Sequence, residues 1–293
     1  MGIKVYGSMV SIATLRVLLC LAEKDLVFEL INVDLASGEH KRPHILARNP
    51  FGQIPAFEDD DIKLFESRAI SQYISRTYAS KGVDLTSNDP KKATVESVWM
   101  EVESQKLEPA AMKLIWELCM KPLLFGQNSD DAVVSVEKKK LESVLDVYEA
   151  RLSESKYLGG DSFSLADMHT VPTIKFLMDT QMKQVFDARP CVSAWVADIM
   201  SRPACVKGHW VSVVRLLGVG LILGAFRCGD GPEHPPPPPR SSPSGLTSLS
   251  NTHNYTYICI YKGAHPQTLG SSTPHSLLVK VLSLYLYVYR ISN

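Results

Sequence analysis

The chain has 293 residues, of which 45% are hydrophobic and 21% are charged, with 31 basic and 31 acidic side chains. This composition is typical of a globular protein, and a net charge of zero provides no basic field, so nucleic acid is not an expected partner. The six cysteines are scattered without a Cys-x-x-Cys pair, which argues against a disulfide scaffold and against a metal site.

Strand and helix signals alternate in the first 80 residues of the chain. Apolar runs predict short strands at residues 3–6, 27–33, 54–58 and 62–65. Apolar residues at helical spacing predict helices at residues 11–23 and 67–78. The polar segment from residue 36 to residue 43 is predicted to be a loop. This order of elements indicates a small α/β domain over residues 1–80.

The chain changes character after this domain. Residues 81–91 are predicted to be a linker, and apolar stripes at helical spacing predict an all-helical domain over residues 92–207. Ser164 and Asp167 have the spacing of a capping box before an apolar run, which is a structural role. Pro190 is predicted to open a further helix.

Residues 208–293 differ from the rest of the chain. They hold 8 of the 62 charged residues and half of the 18 prolines. An apolar stretch at 211–226 is short for a membrane anchor, and the proline run 235–239 would suit a polyproline II segment that docks a partner. We favour a third interpretation, that this tail is unstructured sequence that never evolved to fold, because it shows no amphipathic period.

Ser11 stands between the first predicted strand and the first predicted helix. The common role for such a serine is to cap the helix, and the same position favours a bound anion because the helix begins there with free N–H groups. No histidine or aspartate is spaced to make Ser11 a hydrolase nucleophile. Its hydroxyl could instead donate a hydrogen bond to a bound thiolate.

Other polar residues of this domain suggest a site for a small peptide. A cis bond before Pro55 would turn the backbone of Ile54 outward, towards an extended ligand. Glu66 could pair with an ammonium group while Ser67 holds a carboxylate, although both could also serve only the start of a helix. His40 and Lys41 are cationic candidates for a second carboxylate. A tripeptide with two carboxylates, one amine and a central thiol would satisfy all of them.

Longer motifs resemble a known family. The stretches 49–56 (Asn-Pro-Phe-Gly-Gln-Ile-Pro-Ala) and 64–70 (Leu-Phe-Glu-Ser-Arg-Ala-Ile) are similar to the glutathione site of plant phi-class glutathione S-transferases. The stretches at 145–151, 157–167 and 202–204 resemble the helical domain of the same class. The resemblance extends from about residue 2 to residue 207. It implies a thioredoxin-like domain with a cis Pro55, an all-α domain and a homodimer.

The resemblance also implies a role for each matching residue. Ser11 matches the catalytic serine, and glutathione would be a co-substrate with no bound cofactor. The matching glutathione contacts are His40, Lys41, Gln53, Ile54, Glu66 and Ser67. Of these, His40 and Lys41 would face the glycyl carboxylate, Ile54 the cysteinyl unit, and the pair Glu66 and Ser67 the γ-glutamyl end. Phe51 resembles an aromatic residue that inserts into the partner subunit in related classes, but it could equally be a core residue.

A second substrate, a small apolar electrophile, would lie between the domains. The candidates for this acceptor pocket are Met9, Leu35, Lys113, Trp116 and Met120, although Trp116 and Met120 have a spacing that is also typical of plain core. The expected function is conjugation of glutathione to electrophiles in detoxification or stress response. The alternatives are a glutathione-dependent peroxidase and a non-catalytic carrier of apolar plant metabolites. The N-terminus has no apolar signal core, so a cytosolic location without membrane attachment is expected.

Overall fold

The computed structural model describes residues 2–35 and 37–207, and the interpretation of the tail from residue 208 onward concerns residues outside the described ones. The first part of the chain contains a four-stranded sheet with the strand order β2-β1-β3-β4. Its strands are β1 (Ile3–Gly7), β2 (Phe28–Asn32), β3 (Ala56–Asp59) and β4 (Ile62–Phe65). Strand β1 is parallel to β2 and antiparallel to β3, and β3 is antiparallel to β4.

Side chains alternate along each strand, so the sheet contributes apolar residues to a buried cluster on each of its faces. Ile3 and Val5 of β1 face the larger core cluster, to which helices α1 (Ile12–Glu23) and α3 (Ser67–Thr77) contribute. Tyr6 belongs to the smaller cluster, with Val33, Leu35, Ile45 and Ala56. A turn of 3₁₀ helix at Glu39–Lys41 lies in the segment that the sequence predicted to be a loop, and the short helix α2 (Pro43–Leu46), which was not predicted, begins at the last residue of that segment.

The second part of the described chain is helical from Pro90 onward. Its helices are α4 (Pro90–Val102), α5 (Glu108–Ile115), α6 (Lys121–Phe125), α7 (Asp131–Glu154), α8 (Leu165–Met168), α9 (Val171–Met178), α10 (Lys183–Asp187), α11 (Pro190–Ser201) and α12 (Pro203–Lys207). None of the helices in residues 2–35 and 37–207 is long and apolar enough to cross a membrane. The predicted combination of a thioredoxin-like α/β domain and an all-α domain is confirmed.

Helices α4, α5 and α6 form one continuous helix that contains π turns at Glu103–Leu107 and Trp116–Met120. Each π turn is followed, two residues later, by a proline, Pro109 or Pro122. Proline has no N–H and its ring collides with the carbonyl of the residue four positions earlier. A wider turn before each proline accommodates this collision without ending the helix.

Several local predictions are confirmed. Ser164 and Asp167 form the reciprocal capping box at the start of α8, and Asp167 also accepts a hydrogen bond from the Trp195 indole at 3.0 Å. The Ile54–Pro55 peptide bond is cis. Helix α11 begins at Pro190, as predicted.

Candidate active site

The candidate residues of the first domain meet at one edge of the sheet. Tyr6 of β1 pairs with Ala56 of β3, Ala56 pairs with Phe65 of β4, and Gly7 pairs with Asn32 of β2. The carboxyl ends of β1, β2 and β4 therefore lie beside the amino end of β3. The segments 8–11, 33–35, 37–41, 53–55 and 66–67 follow or precede these strand ends, so they surround the same edge.

Ser11 caps helix α1 and keeps a hydroxyl proton that it can donate. Its backbone is extended, with φ −91° and ψ 118°, and its Oγ accepts the N–H of Thr14 at 3.2 Å. Ser11 is half-buried, so a ligand at this edge can reach it. Because the hydroxyl oxygen accepts from the Thr14 N–H, the O–H hydrogen is available for donation to an acceptor at this edge.

The loop before β3 is held by Asn49, a residue that the sequence interpretation did not single out. The Asn49 side chain is buried, donates to the Gln53 carbonyl at 3.0 Å and accepts the Phe51 N–H at 3.0 Å. The half-buried Ile54 follows immediately in the chain. The signal for Asn49 is the Asn-Pro-Phe-Gly turn sequence, since asparagine side chains commonly bond to backbone two residues ahead.

His40 and Lys41 pack against this loop. Gly52 has a positive φ of 59°, and a Cβ there would come within 2.8 Å of the His40 carbonyl oxygen, so only glycine allows this approach. Lys41 Nζ donates to the Phe51 carbonyl at 2.7 Å. Burial, and then the charge of Lys41, lower the pKa of His40. His40 is therefore neutral near pH 7, and Lys41 carries the positive charge of this pair.

Glu66 and Ser67 lie where β4 meets α3. Glu66 is exposed and has a φ of 68°, a backbone conformation that favours glycine and is uncommon for other residues. Ser67 is the first residue of α3 and is buried. Its Oγ accepts a hydrogen bond of 2.8 Å from the guanidinium of Arg16 in α1.

Arg16 is the centre of a buried ionic cluster that sequence reasoning missed. It is 1% exposed, and its Nη2 lies 3.3 Å from Glu103 and 2.9 Å from Glu108. Arg68 contacts the same two carboxylates. Burial alone would raise the pKa of Glu108, but the charges of Arg16 and Arg68 outweigh it and lower that pKa to about 2. The two arginines and the two glutamates neutralise each other, and their contacts join the first domain to the helical domain.

The acceptor-pocket candidates lie in different surroundings. Trp116 and Met120 are buried in the larger core cluster, where Met9 packs as a partly buried residue. Leu35 belongs to the smaller cluster on the other face of the sheet. Lys113 is 36% exposed, and its Nζ lies 3.4 Å from Glu137 of α7. The residues that the structure describes contain no cluster of histidine, cysteine and carboxylate side chains suited to a metal ion.

Comparison with known families matches both parts of the described chain. The family model for the glutathione S-transferase N-terminal domain matches residues 1–76, and the model for the glutathione S-transferase C-terminal domain matches residues 107–203. The tobacco (Nicotiana tabacum) glutathione S-transferase APIC is 61% identical over 208 residues, which cover 71% of this chain and 97% of the relative.

Solved structures share the architecture. Glutathione transferase F7 from Populus trichocarpa has 48% identity and a TM-score of 0.67, covering 70% of this chain and 96% of that one. Maize glutathione S-transferase I, solved in complex with an atrazine–glutathione conjugate, has 37% identity and a TM-score of 0.67, with coverage of 74% and 99%.

Proposed function

This chain belongs to the glutathione S-transferase family, and from that premise we propose how it conjugates glutathione to electrophiles. Glutathione is the co-substrate of this reaction. The observation that supports our assignment is the position of Ser11, which caps α1 at the sheet edge where the other candidate contacts also lie. We assign Ser11 as the catalytic residue.

The proposed role of Ser11 is to favour the thiolate form of glutathione. A free thiol has a pKa near 8.5 and is mostly protonated at neutral pH. The Ser11 hydroxyl donates to the sulfur, and the positive end of the α1 dipole lies beside it, so both interactions favour the negative charge. The thiolate then attacks the electrophilic carbon, the new C–S bond forms, and the leaving group departs with the bonding electrons.

We assign the remaining glutathione contacts by charge. The positive Lys41, with the neutral His40 beside it, faces the glycyl carboxylate. The backbone of Ile54 pairs with the cysteinyl unit, and Gln53 precedes it in the same loop. The γ-glutamyl end lies at the start of α3.

At that end of the ligand, Glu66 pairs with the ammonium group and the Ser67 hydroxyl donates to the carboxylate. The exposed position of Glu66 and the anion-favouring start of α3 support this assignment. We place the apolar electrophile next to the thiolate, against Met9, Trp116 and Met120, with Lys113 and Leu35 at its margins.

The Ser11 assignment is tested with variants that separate capping from catalysis. Ser11→Ala should reduce kcat/KM with a chloronitrobenzene acceptor by about 10- to 100-fold, as expected for a lost hydrogen bond to a charged group. Glutathione binding measured by calorimetry should change little. The pKa of the bound glutathione thiol, followed by the absorbance of the thiolate as the pH is raised, should be higher than in the wild-type enzyme.

Two further variants serve as controls. Ser11→Asp keeps a good helix cap but places a negative carboxylate where the thiolate forms, so it should remain stable and lose activity. Ser11→Thr keeps the hydroxyl and should retain most of the activity. Full turnover by the alanine or the aspartate variant would refute the role of Ser11.

We also propose that the enzyme is a homodimer. Phe51 is 63% exposed and is therefore not a core residue, and its ring meets Phe65 edge-on at 6.0 Å. Val95 and Val98 of α4 are also exposed, so the surface offers apolar positions on both domains. Pairing two copies through these positions would remove them from water.

Sedimentation velocity tests the homodimer. Wild-type protein should sediment as a dimer, and Phe51→Ser should shift the population towards monomer. Val27→Ser is the matched control, because Val27 is 79% exposed but lies outside the proposed interface. Equal sedimentation of wild type and Phe51→Ser would contradict this role of Phe51.

We assign glutathione binding to residues 1–80, a linker to residues 81–91 and the helical domain to residues 92–207. The matches of the two family models support this division. We place the enzyme in the cytosol, since the cysteines within the described residues are free thiols, as is usual in a reducing compartment. Microscopy of a fluorescent fusion in plant cells tests the location.

A further inference from the structure

Proline is the least favourable residue in a helix interior, yet the long helix from Pro90 to Phe125 contains two prolines beyond its first turn. An alanine at either position would suit a regular helix better. Pro109 and Pro122 each follow a π turn, and the two turns lie at different places in the molecule. π turns occur often at functional sites, so the surroundings of each turn show what it positions.

The π turn before Pro109 brings two acidic side chains to one side of the helix. The N–H of Glu108 bonds to the carbonyl of Glu103, five residues earlier. In a regular α-helix, two residues five positions apart point about 140° away from each other. The wider π turn brings the later residue back over the earlier one, so both carboxylates face the same partners.

Those partners are the two arginines of the first domain. Glu103 Oε1 lies 3.3 Å from Arg16 and its Oε2 lies 2.8 Å from Arg68 Nε. Glu108 Oε1 lies 2.9 Å from Arg16, and Glu108 also contacts Arg68. Each carboxylate therefore bridges both guanidinium groups, an arrangement that needs the two acids on one face.

Arg16 transmits this arrangement to the proposed γ-glutamyl position. Its Nη1 donates to Ser67 Oγ at 2.8 Å, so the oxygen of that hydroxyl is occupied as an acceptor. The Ser67 hydroxyl hydrogen is left to donate elsewhere, and a carboxylate at the start of α3 is the acceptor that our proposed function places there. Arg68 shares both acids but does not bond to Ser67 in the described structure.

We propose that Pro109 is a positioning residue for the γ-glutamyl end of glutathione, an inference that rests on the proposed function. Pro109 imposes the π turn, the π turn places Glu103 and Glu108 on Arg16, and Arg16 orients the hydroxyl of Ser67. Pro122 likewise follows a π turn by two residues, but the residues of that turn, Trp116–Met120, form no ion pair with Arg16.

The test compares Pro109→Ala with Pro122→Ala as the matched control. Calorimetry with glutathione should give a Kd for Pro109→Ala about three- to tenfold above wild type, the range that loss of one well-oriented hydrogen bond produces. Pro122→Ala should keep the wild-type Kd. Circular dichroism and thermal unfolding verify that both variants are folded. Both are expected to fold, because alanine is more favourable than proline in a helix interior. An unchanged Kd in folded Pro109→Ala would overturn the proposal, as would an equal rise in both variants.

A double variant distinguishes positioning from a general structural effect. If Pro109 acts through Ser67, then Pro109→Ala in a Ser67→Ala background should raise the Kd no further. Independent, multiplying effects of the two changes would overturn the proposal. A wild-type enzyme that bound no glutathione would instead refute the proposed function itself, so the two failures are distinguishable.

Discussion

His169 should make the stability of this enzyme depend on pH near neutrality. The imidazole is fully buried, and its Nε2 lies 2.7 Å from the hydroxyl of Ser71 in α3. Arg16 donates to the His169 carbonyl at 3.4 Å. Burial, and then the charges of Arg16 and Arg68, lower the pKa of His169 well below its ordinary value. The ring is therefore neutral in the folded enzyme.

The sign of the effect follows from proton uptake. The unfolded chain binds a proton on this ring with a pKa of about 6.5, whereas the folded enzyme binds it only at much lower pH. The neutral His169 ring therefore makes its full contribution to the free energy of unfolding at pH values above its pKa in the unfolded chain. That contribution is lost as the pH falls towards its lower pKa in the folded enzyme. Between about pH 7.5 and about pH 5.5, His169 should cost the fold about 1.4 kcal/mol.

Urea unfolding at several pH values and at one protein concentration measures this loss. His169→Gln is the control, because glutamine keeps a polar group for Ser71 but does not titrate. The free energy of unfolding of wild type should fall about 1.4 kcal/mol more than that of the variant across this range. Carboxylates with lowered pKa values lose their contribution only below about pH 4.5, outside the range. Parallel curves for the two proteins would refute the reasoning.

Two further substitutions test local packing. Gly7→Ala should destabilise the enzyme by about 1–3 kcal/mol in urea unfolding, since the new Cβ would lie 2.5 Å from the Thr14 methyl; a neutral result would contradict the tight fit. Glu149→Ala should cost about 1 kcal/mol, because Glu149 caps α11 by accepting the Cys191 and Val192 N–H groups at 3.0 and 2.8 Å. Partial burial raises the pKa of Glu149, but these bonds lower it overall. The cost of the Glu149 substitution should therefore shrink below about pH 4.5.

In the first domain, local signals in the sequence predicted four strands and helices α1 and α3 in the correct order, with their ends to within about two residues. For the second domain they predicted that it is helical and that a helix begins at Pro190. The caps at Ser11 and Ser164 depend on side chains next to the helix that they start, so their spacing could be read directly. The stretches 49–56 and 64–70 resembled the glutathione site of the family, and that resemblance implied the candidate glutathione contacts. The short helix α2 was missed because a four-residue helix has too little period to detect.

What local patterns could not supply was the set of contacts between distant parts of the chain. Arg16 lies in an apolar helix, and its neighbours in the sequence do not indicate which residues it pairs with. Its partners, Glu103 and Glu108, lie 87 and 92 residues away in the chain. The π turns follow from a proline acting on the carbonyl before it, yet their consequence depends on which helix packs opposite. The sequence alone determined the family, the two kinds of domain and the catalytic candidate, because periods, caps and motifs are short-range. Only the tertiary structure decided which buried charges meet, because a buried charge is stabilised by whichever partners the folded chain brings to it.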